Sequence, residues 1–584
     1  MYNYFIEKID EIYNIITAPI DDIFKKMAIK KYKSELDIEN NRFSSLYIKL
    51  IGKKTGKLNG IVYTPEPISK YMFNSLIEEE DIINNPFIKI LDPACGCGDI
   101  ILTCFENIKE IYAKNIEYIN EKHGLNLKVE NISKHIIDNN LYCFDIDPIA
   151  LKILTIDLYE VSNYFNEKNI INRDFLTSKE EEKFHVVIGN PPYIGHKLVD
   201  KEYSKSLKEI FKNIYKDKSD ISYCFFQAAI NRLYKKGKLS FITSRYFIEA
   251  PSGEELRKIL KEVCTVYKVV DFYGIRPFKN VGIDPVIIFL INDTEASENI
   301  EIIKPLKGFK EEKDEFYNSL FLNNGNRYKK FYINKNCLNN KGWILRDTKE
   351  RLIIDKIEEK SFTNLNNICS SAQGIITGCD KAFVVTREEV ENKHLEMDLI
   401  KPWIKSSNIS RDKIILKDKF LIYSDIINNP EEYPNTINHL KIKQSKLMER
   451  RECSKGIREW YQLQWGRKRE IFEKEKIIYP YKGTHNTFVL DKGKYFSADI
   501  YALILKENVP FTYNYLISLL NSKVYEFYFQ SFAKKLGENM YEYYPNNLLK
   551  LCIPTMGSKE EYSEEEINEF FGFTKEEIKI IYEY

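Results

Sequence analysis

His185-Val186-Val187-Ile188-Gly189-Asn190-Pro191-Pro192-Tyr193 is an apolar run that stops in a turn fixed by two prolines. The first five residues read as a buried strand and the last four as the sharp turn at its end. The prolines fix φ and remove two backbone donors, which leaves carbonyls free to accept hydrogen bonds. The Asn190 side chain adds an acceptor, and Tyr193 adds a flat face. Two acceptors beside a flat face suit a planar ring with an exocyclic amino group, such as adenine. A Pro-rich turn after an ordinary strand is the plain alternative, so the segments around it must decide.

Upstream, Ile88-Lys89-Ile90-Leu91 reads as a strand. It runs into Asp92-Pro93-Ala94-Cys95-Gly96-Cys97-Gly98-Asp99 and then a helix through Leu102 and Phe105. Strand, Gly-rich turn and helix make a nucleotide- or cofactor-binding unit. No Gly-Lys-Ser/Thr follows, so it is not a phosphate loop. Leu141-Tyr142-Cys143-Phe144 is a second strand, ending in Asp145-Ile146-Asp147-Pro148. Asp145 can accept both hydroxyls of a ribose, or it can cap a helix. Asn169-Ile170-Ile171-Asn172 is a third strand. After it, Asp174 can accept from an adenine amino group and Phe175 can stack on the ring; a polar turn with a core Phe is the alternative. Gly60-Ile61-Val62-Tyr63-Thr64-Pro65 reads as a loop before a helix through Ile68, Met72 and Leu76. Further strands are expected at Leu239–Thr243, Val266–Phe272 and Val286–Leu290, with Phe278 in the loop between the last two. Strands alternating with helices imply an α/β fold with a mainly parallel sheet covered on both faces.

A chain of 584 residues is too long for one core, so several domains are expected. Residues 1–50 read as a helical segment and residues 51–300 as the α/β domain. Residues 301–345, rich in Lys, Asn and Glu, read as a linker. Residues 346–556 read as a mixed α+β domain and residues 557–584 as an acidic tail. The net charge of +1 hides an uneven distribution. Residues 441–469 hold ten Lys/Arg against three Glu, while residues 557–584 hold nine Glu against three Lys. Within the basic stretch, Arg450, Arg451, Lys455, Arg458 and Arg467 interleave with Trp460, Gln462 and Gln464. Such a mixture can supply phosphate and base-edge contacts, with glutamine suited to adenine, although a charge run is usually a solvated face. The eleven cysteines show no paired C-x-x-C, so no metal site is expected, and a reducing cytoplasm is. The longest apolar run, Val286 to Ile291, is far too short to span a bilayer, so no membrane partner is expected.

In their order, GIVYTP, DPACGCG, DID, RDF and NPPY resemble the γ-group of DNA adenine-N6 methyltransferases. The QGIITGCDKAF stretch is similar to TaqI-like C-terminal specificity domains, and it and RREC-x-x-GIR-x-WY-x-LQWGR resemble segments of clostridial orphan adenine methyltransferases. The resemblance covers about residues 50–550. It implies a Rossmann-like seven-stranded methyltransferase sheet followed by a DNA-recognition domain, with S-adenosylmethionine as cofactor and double-stranded DNA as partner. Val62, Tyr63, Thr64 and Pro65 would contact the cofactor; Asp92, Ala94, Cys95 and Gly96 would line its methionine end. Asp145 and Ile146 would hold the ribose, and Asp174 and Phe175 the cofactor adenine. Asn190, which would also contact the cofactor, and the Pro191 carbonyl, in a turn fixed by Pro192, would hold the target N6, with Tyr193 and Phe278 sandwiching a flipped base. One catalytic and one recognition domain suggest a monomer acting on a short, asymmetric, A-rich site. No nuclease signature appears in residues 1–50, so an orphan enzyme without a fused nuclease is expected. Three other classes share parts of the pattern: a modification subunit paired with a separate nuclease, an RNA methyltransferase, and a glutamine N5-methyltransferase, which also uses NPPY but lacks a large specificity domain.

Overall fold

The computed structural model describes the chain except residues 56–62, 180, 196–197, 217–218, 279–281, 307–311, 412, 537–538 and 584; at 53–55 and 312–314 only the backbone is described. The chain divides into two compact units, Met1–Leu345 and Arg346–Tyr584.

The first unit is built on one nine-stranded sheet. Its strands are β1 (Ile90–Asp92), β2 (Leu141–Asp145), β3 (Ile170–Asn172), β4 (Phe184–Gly189), β5 (Leu233–Ser244), β6 (Thr265–Asp271), β7 (Pro285–Ile291), β8 (Asn299–Pro305) and β9 (Tyr328–Asn334). Their order is β3-β2-β1-β4-β5-β7-β6-β8-β9. The five strands β3-β2-β1-β4-β5 run parallel, and β7 inserts antiparallel between β5 and β6. The apolar runs explain the centre. β1 is buried at every residue, and β7 is buried from Pro285 through Leu290, as strands covered on both faces should be. Parallel strands bring their C-terminal ends to one edge, so Asp92, Asp145 and Gly189 finish side by side, and the loops after them form one site.

Residues 1–50 are helical, as expected: α1 (Tyr2–Thr17), α2 (Asp22–Glu35) and α3 (Phe43–Thr55). Phe5, Ile9, Ile12 and Ile16 lie on one face of α1. They share a hydrophobic cluster with Ala150, Ile153 and Ile156 of the helix Pro148–Ser162. The helical layer therefore covers the element that follows β2. A fourth helix, α4 (Glu66–Leu76), starts at Pro65 and buries Ile68, Met72 and Leu76.

Two expectations are corrected. The stretch 301–345, read as a linker, supplies most of β8, all of β9 and the helix Glu312–Phe321, which extend the seven-stranded sheet to nine. β9 is an edge strand with one mostly solvated face, so Lys329 and Lys330 conceal its alternation. The stretch 557–584, read as a tail, folds into the helices Glu564–Phe571 and Lys575–Glu583, which bury Ile567, Phe571 and Ile581. Lys356 holds the second of them through Glu577 at 2.7 Å.

The second unit contains two four-stranded sheets. One joins Cys369–Gln373, Ile500–Leu505, Lys476–Pro480 and Val489–Asp491; the other joins Val384–Val385, Phe420–Ile422, Ile400–Ile404 and Tyr495–Phe496. With the helices between them they make the mixed α+β domain that was expected. No helix among the described residues is long and apolar enough to cross a membrane.

Candidate active site

Asn190 stands immediately after β4, and both ends of its side chain are held. Its Nδ2 donates to Thr64 Oγ1 at 3.0 Å, and its Oδ1 accepts from the Tyr193 hydroxyl at 2.5 Å. Both partners are hydroxyls, which can donate or accept; here Thr64 accepts and Tyr193 donates. A carbonyl oxygen has two lone pairs, so Oδ1 can accept a second donor. Tyr193 also donates to the Ile242 carbonyl at 3.3 Å, which ties the turn to β5. Gly189 is what allows the approach to β1: a Cβ there would sit 3.0 Å from Asp92 Oδ1 and 3.1 Å from Pro93 Cδ.

The β1 turn is built on carboxylates. Asp92 is buried and accepts from the Ala94 N–H at 3.1 Å. Burial, opposed by that N–H, pushes its pKa up to about 8, and Asp145 and Asp99 add repulsion. Asp145 accepts from Gly96 N–H and Asp147 N–H, both at 2.8 Å; burial still raises its pKa. Asp99 has a buried Oδ1 with no partner among the described residues, and burial followed by Asp157 raises it to about 7. Asp157 accepts from the Phe43 and Ser44 N–H groups of α3, and burial brings it to about 7 as well. Spacing gave no sign of Asp99 or Asp157, because the helical layer that buries Asp157 arrives from 114 residues away. Gly98, at φ +86, faces Leu154 so closely that a Cβ would lie 2.1 Å from Cδ1. At Gly96, by contrast, a Cβ would meet nothing within 4 Å, so a ligand can approach the backbone there. Ala94 and Cys95 lie in the same turn, and burial pushes the Cys95 thiol up. Ile146, 73% exposed, projects beside Asp145.

These residues fit S-adenosylmethionine. Carboxylates whose ionisation is opposed by burial favour a ligand carrying positive charge, and the sulfonium and amino groups supply it. Thr64 is buried against Asn190, Tyr63 is partly exposed and Pro65 caps α4. Val62 lies outside the described residues.

Other expected residues are used differently. Phe175 is packed in the core: its ring stacks on Phe225 at 6.0 Å, meets Phe144 edge-on, and has the Arg232 guanidinium 4.2 Å from its centre. It therefore fills the alternative role of a core Phe, and it is not open to an adenine in this conformation. Asp174 accepts from Leu176 N–H, the Thr177 hydroxyl and the Tyr203 hydroxyl. Tyr193 and Phe278 both belong to the large hydrophobic cluster of the first unit, and both rings are buried.

In the second unit, Arg450 is spent on the carbonyls of Leu447, Thr377, Trp460 and Gln462. Arg458 pairs with Asp425 at 2.8 Å, and Arg467 binds Gly374 O and Gln373 Oε1. Gln464 donates to Glu452 at 2.8 Å, and Gln462 Oε1 accepts from Glu459 N–H. Of the eight residues, Arg451 and Lys455 are the exposed cations, and Trp460 is half-buried against Tyr461. Trp465, not singled out in the sequence, is 37% exposed beside Arg458. Among the described residues, no group of His, Cys, Asp and Glu is placed to hold a metal.

The chain is similar to known restriction-modification methyltransferases. Residues 126–278 match the Eco57I restriction-modification methylase family, and residues 401–553 match the TaqI-like C-terminal specificity domain. Type II methyltransferase M.BstVI of Geobacillus stearothermophilus is 24% identical over 575 residues, covering 91% of this chain and 99% of that protein. M.HindII of Haemophilus influenzae is 26% identical over 416 residues, covering 64% and 76%. In fold, the chain resembles the Type IIL restriction-modification enzyme MmeI, solved in complex with DNA: TM-score 0.58, 15% identity, 84% of this chain and 67% of that one. Residues 126–278 thus form an Eco57I-type methylase domain and residues 401–553 a TaqI-like specificity domain, and the chain is a homologue of the type II methyltransferases.

Proposed function

We propose that the chain is a DNA methyltransferase that transfers a methyl group from S-adenosylmethionine to the N6 amino group of an adenine in a short duplex site. The observation that carries this reading is Asn190. Its carboxamide is locked by Thr64 and Tyr193 at the end of β4, beside the Asp92 turn at the end of β1.

S-adenosylmethionine supplies an electrophilic methyl on a sulfonium sulfur. The chain supplies orientation. The N6 lone pair of adenine is delocalised into the ring and is a poor nucleophile. Acceptors on both amino hydrogens, from Asn190 Oδ1 and the Pro191 carbonyl, favour a tetrahedral nitrogen whose lone pair faces the methyl. Catalysis then comes from positioning and preorganised dipoles. Reaching this turn requires the adenine to leave the stack, at a cost of a few kcal/mol. Contact with the Tyr193 and Phe278 rings would offset part of that, once their cluster opens to admit the base. Arg451, Lys455 and Trp465 are the exposed groups of the basic stretch and the ones we assign to DNA. The chain acts as a cytoplasmic monomer on an asymmetric site. A modification enzyme working opposite a separate nuclease is the second reading, favoured by the type II relatives.

The test is the identity of the product. Unmethylated duplex DNA treated with the enzyme and cofactor, then digested to nucleosides, is expected to yield N6-methyl-2′-deoxyadenosine, and mapping of the undigested product should place it at one motif. Methylcytosine alone, or methyl groups on RNA or protein but not DNA, would overturn the assignment.

A further inference from the structure

A cleft of about 320 Å³ lies in the second unit. Its walls include Lys381, Lys405, Lys417, Lys419, Asp380 and Trp403. Four lysines and one aspartate among the lining residues leave its rim with a positive balance of charge. Lys405 is paired inside the cleft, 2.6 Å from Asp380. Lys381, Lys417 and Lys419 are exposed and form no ion pair among the described residues. Asp418, between two of them, is turned to Arg387 at 3.5 Å and does not neutralise them. Trp403, 3% exposed, carries an indole N–H with no partner among the described residues, so the wall holds a buried donor that the protein leaves unused.

The cleft is joined to the basic stretch. Asp380 accepts from the Thr377 hydroxyl at 2.5 Å. The Thr377 carbonyl in turn accepts from Arg450 Nη1 at 3.2 Å and Gln464 N–H at 3.3 Å. Thr377 thus ties the basic stretch to the Asp380 wall of the cleft. The donors on that rim are lysine point charges, with no guanidinium fork to clasp a single phosphate in two places. Such a rim suits a repeating polyanion better than one small anion.

We infer that this cleft seats the phosphodiester backbone of duplex DNA, as an anchor beside the bases that the basic stretch meets. The inference rests on the DNA reading above. Backbone anchors set register and carry no sequence information of their own.

The test is the salt dependence of duplex binding for the full chain and the double variant K417Q/K419Q. With two backbone phosphates no longer neutralised, affinity should fall about tenfold, equally for target-bearing and unrelated duplexes, and the slope of log affinity against log salt should shrink by roughly 2. K417R/K419R should restore both, and the melting temperature should hold in each variant because the side chains are exposed. Unchanged affinity and slope, or a loss confined to the target sequence, would overturn the anchor. AMP or inorganic phosphate raising the melting temperature of the wild type but not the variant, with an unaltered DNA slope, would show a small-anion site instead. A wild-type chain that bound no duplex would remove the DNA reading itself.

Discussion

Tyr193 does two jobs that its position after two prolines does not separate. Its hydroxyl orients Asn190 Oδ1 at 2.5 Å, and its ring packs in the cluster with Phe278. Tyr193→Phe removes the first and keeps the second. It should lower single-turnover transfer about tenfold, the equivalent of about 1.4 kcal/mol of positioning. Stability should fall by about 1 kcal/mol, the net worth of one buried hydrogen bond. Cofactor affinity should stay within twofold. Single-turnover rates beside equilibrium unfolding check this; an unchanged rate would show that Thr64 alone holds the carboxamide. Residues of this kind were legible where chemistry is local. Asn190 and Tyr193 are three apart and announce each other. Thr64 is 126 residues from Asn190, and only the fold brings them together. Arg450 shows the opposite failure: in sequence a guanidinium among aromatics reads as a phosphate contact, but here four carbonyls need it more.

At the scale of elements, the ends of β1 and β2 and the helices that follow them concentrate buried acid. Asp92 is raised to about 8, and Asp99 and Asp157 to about 7, each from 3.8. Each folded-state pKa lies above the unfolded value, so the folded chain binds more protons. The stability these groups contribute is complete below about pH 4 and is lost as pH rises through about 7 to 8. The melting temperature of the cofactor-free protein should therefore fall as pH rises from about 4 to 8 and level off above that. S-adenosylmethionine, being cationic, should raise it more at the alkaline end, and Asp92→Asn should flatten the trend. Melting curves across that range check the prediction; a flat or rising temperature would contradict it. Central strands were readable because they are continuous apolar runs, as in Val286 to Ile291. β9 was not, because an edge strand wears charge on its open face. The C-terminal helices were missed for a related reason. Nine glutamates outweigh the few residues, Ile567 and Phe571 among them, that mark the buried stripe.

Across the whole molecule, the division of labour follows from two cores. One unit carries the sheet whose C-terminal edge gathers Asp92, Asp145 and Asn190; the other carries the TaqI-like domain with its basic stretch and lysine-rimmed cleft. The order of motifs along the chain made the first unit's class legible, since four of the five motifs fall at a strand end. The second unit has no such rhythm, and its short strands pair out of sequence order, so its groups could be placed only by folding. The central claim is that Asn190 acts on the acceptor and not on the cofactor. The direct measurement is labelled methyl incorporation from S-adenosylmethionine into unmethylated duplex DNA by the wild type and Asn190→Ala, with cofactor affinity measured on the same samples. Incorporation should fall at least a hundredfold, on the order of removing one preorganised transition-state contact, while cofactor affinity stays within a few-fold. Near-full incorporation by Asn190→Ala would contradict the claim.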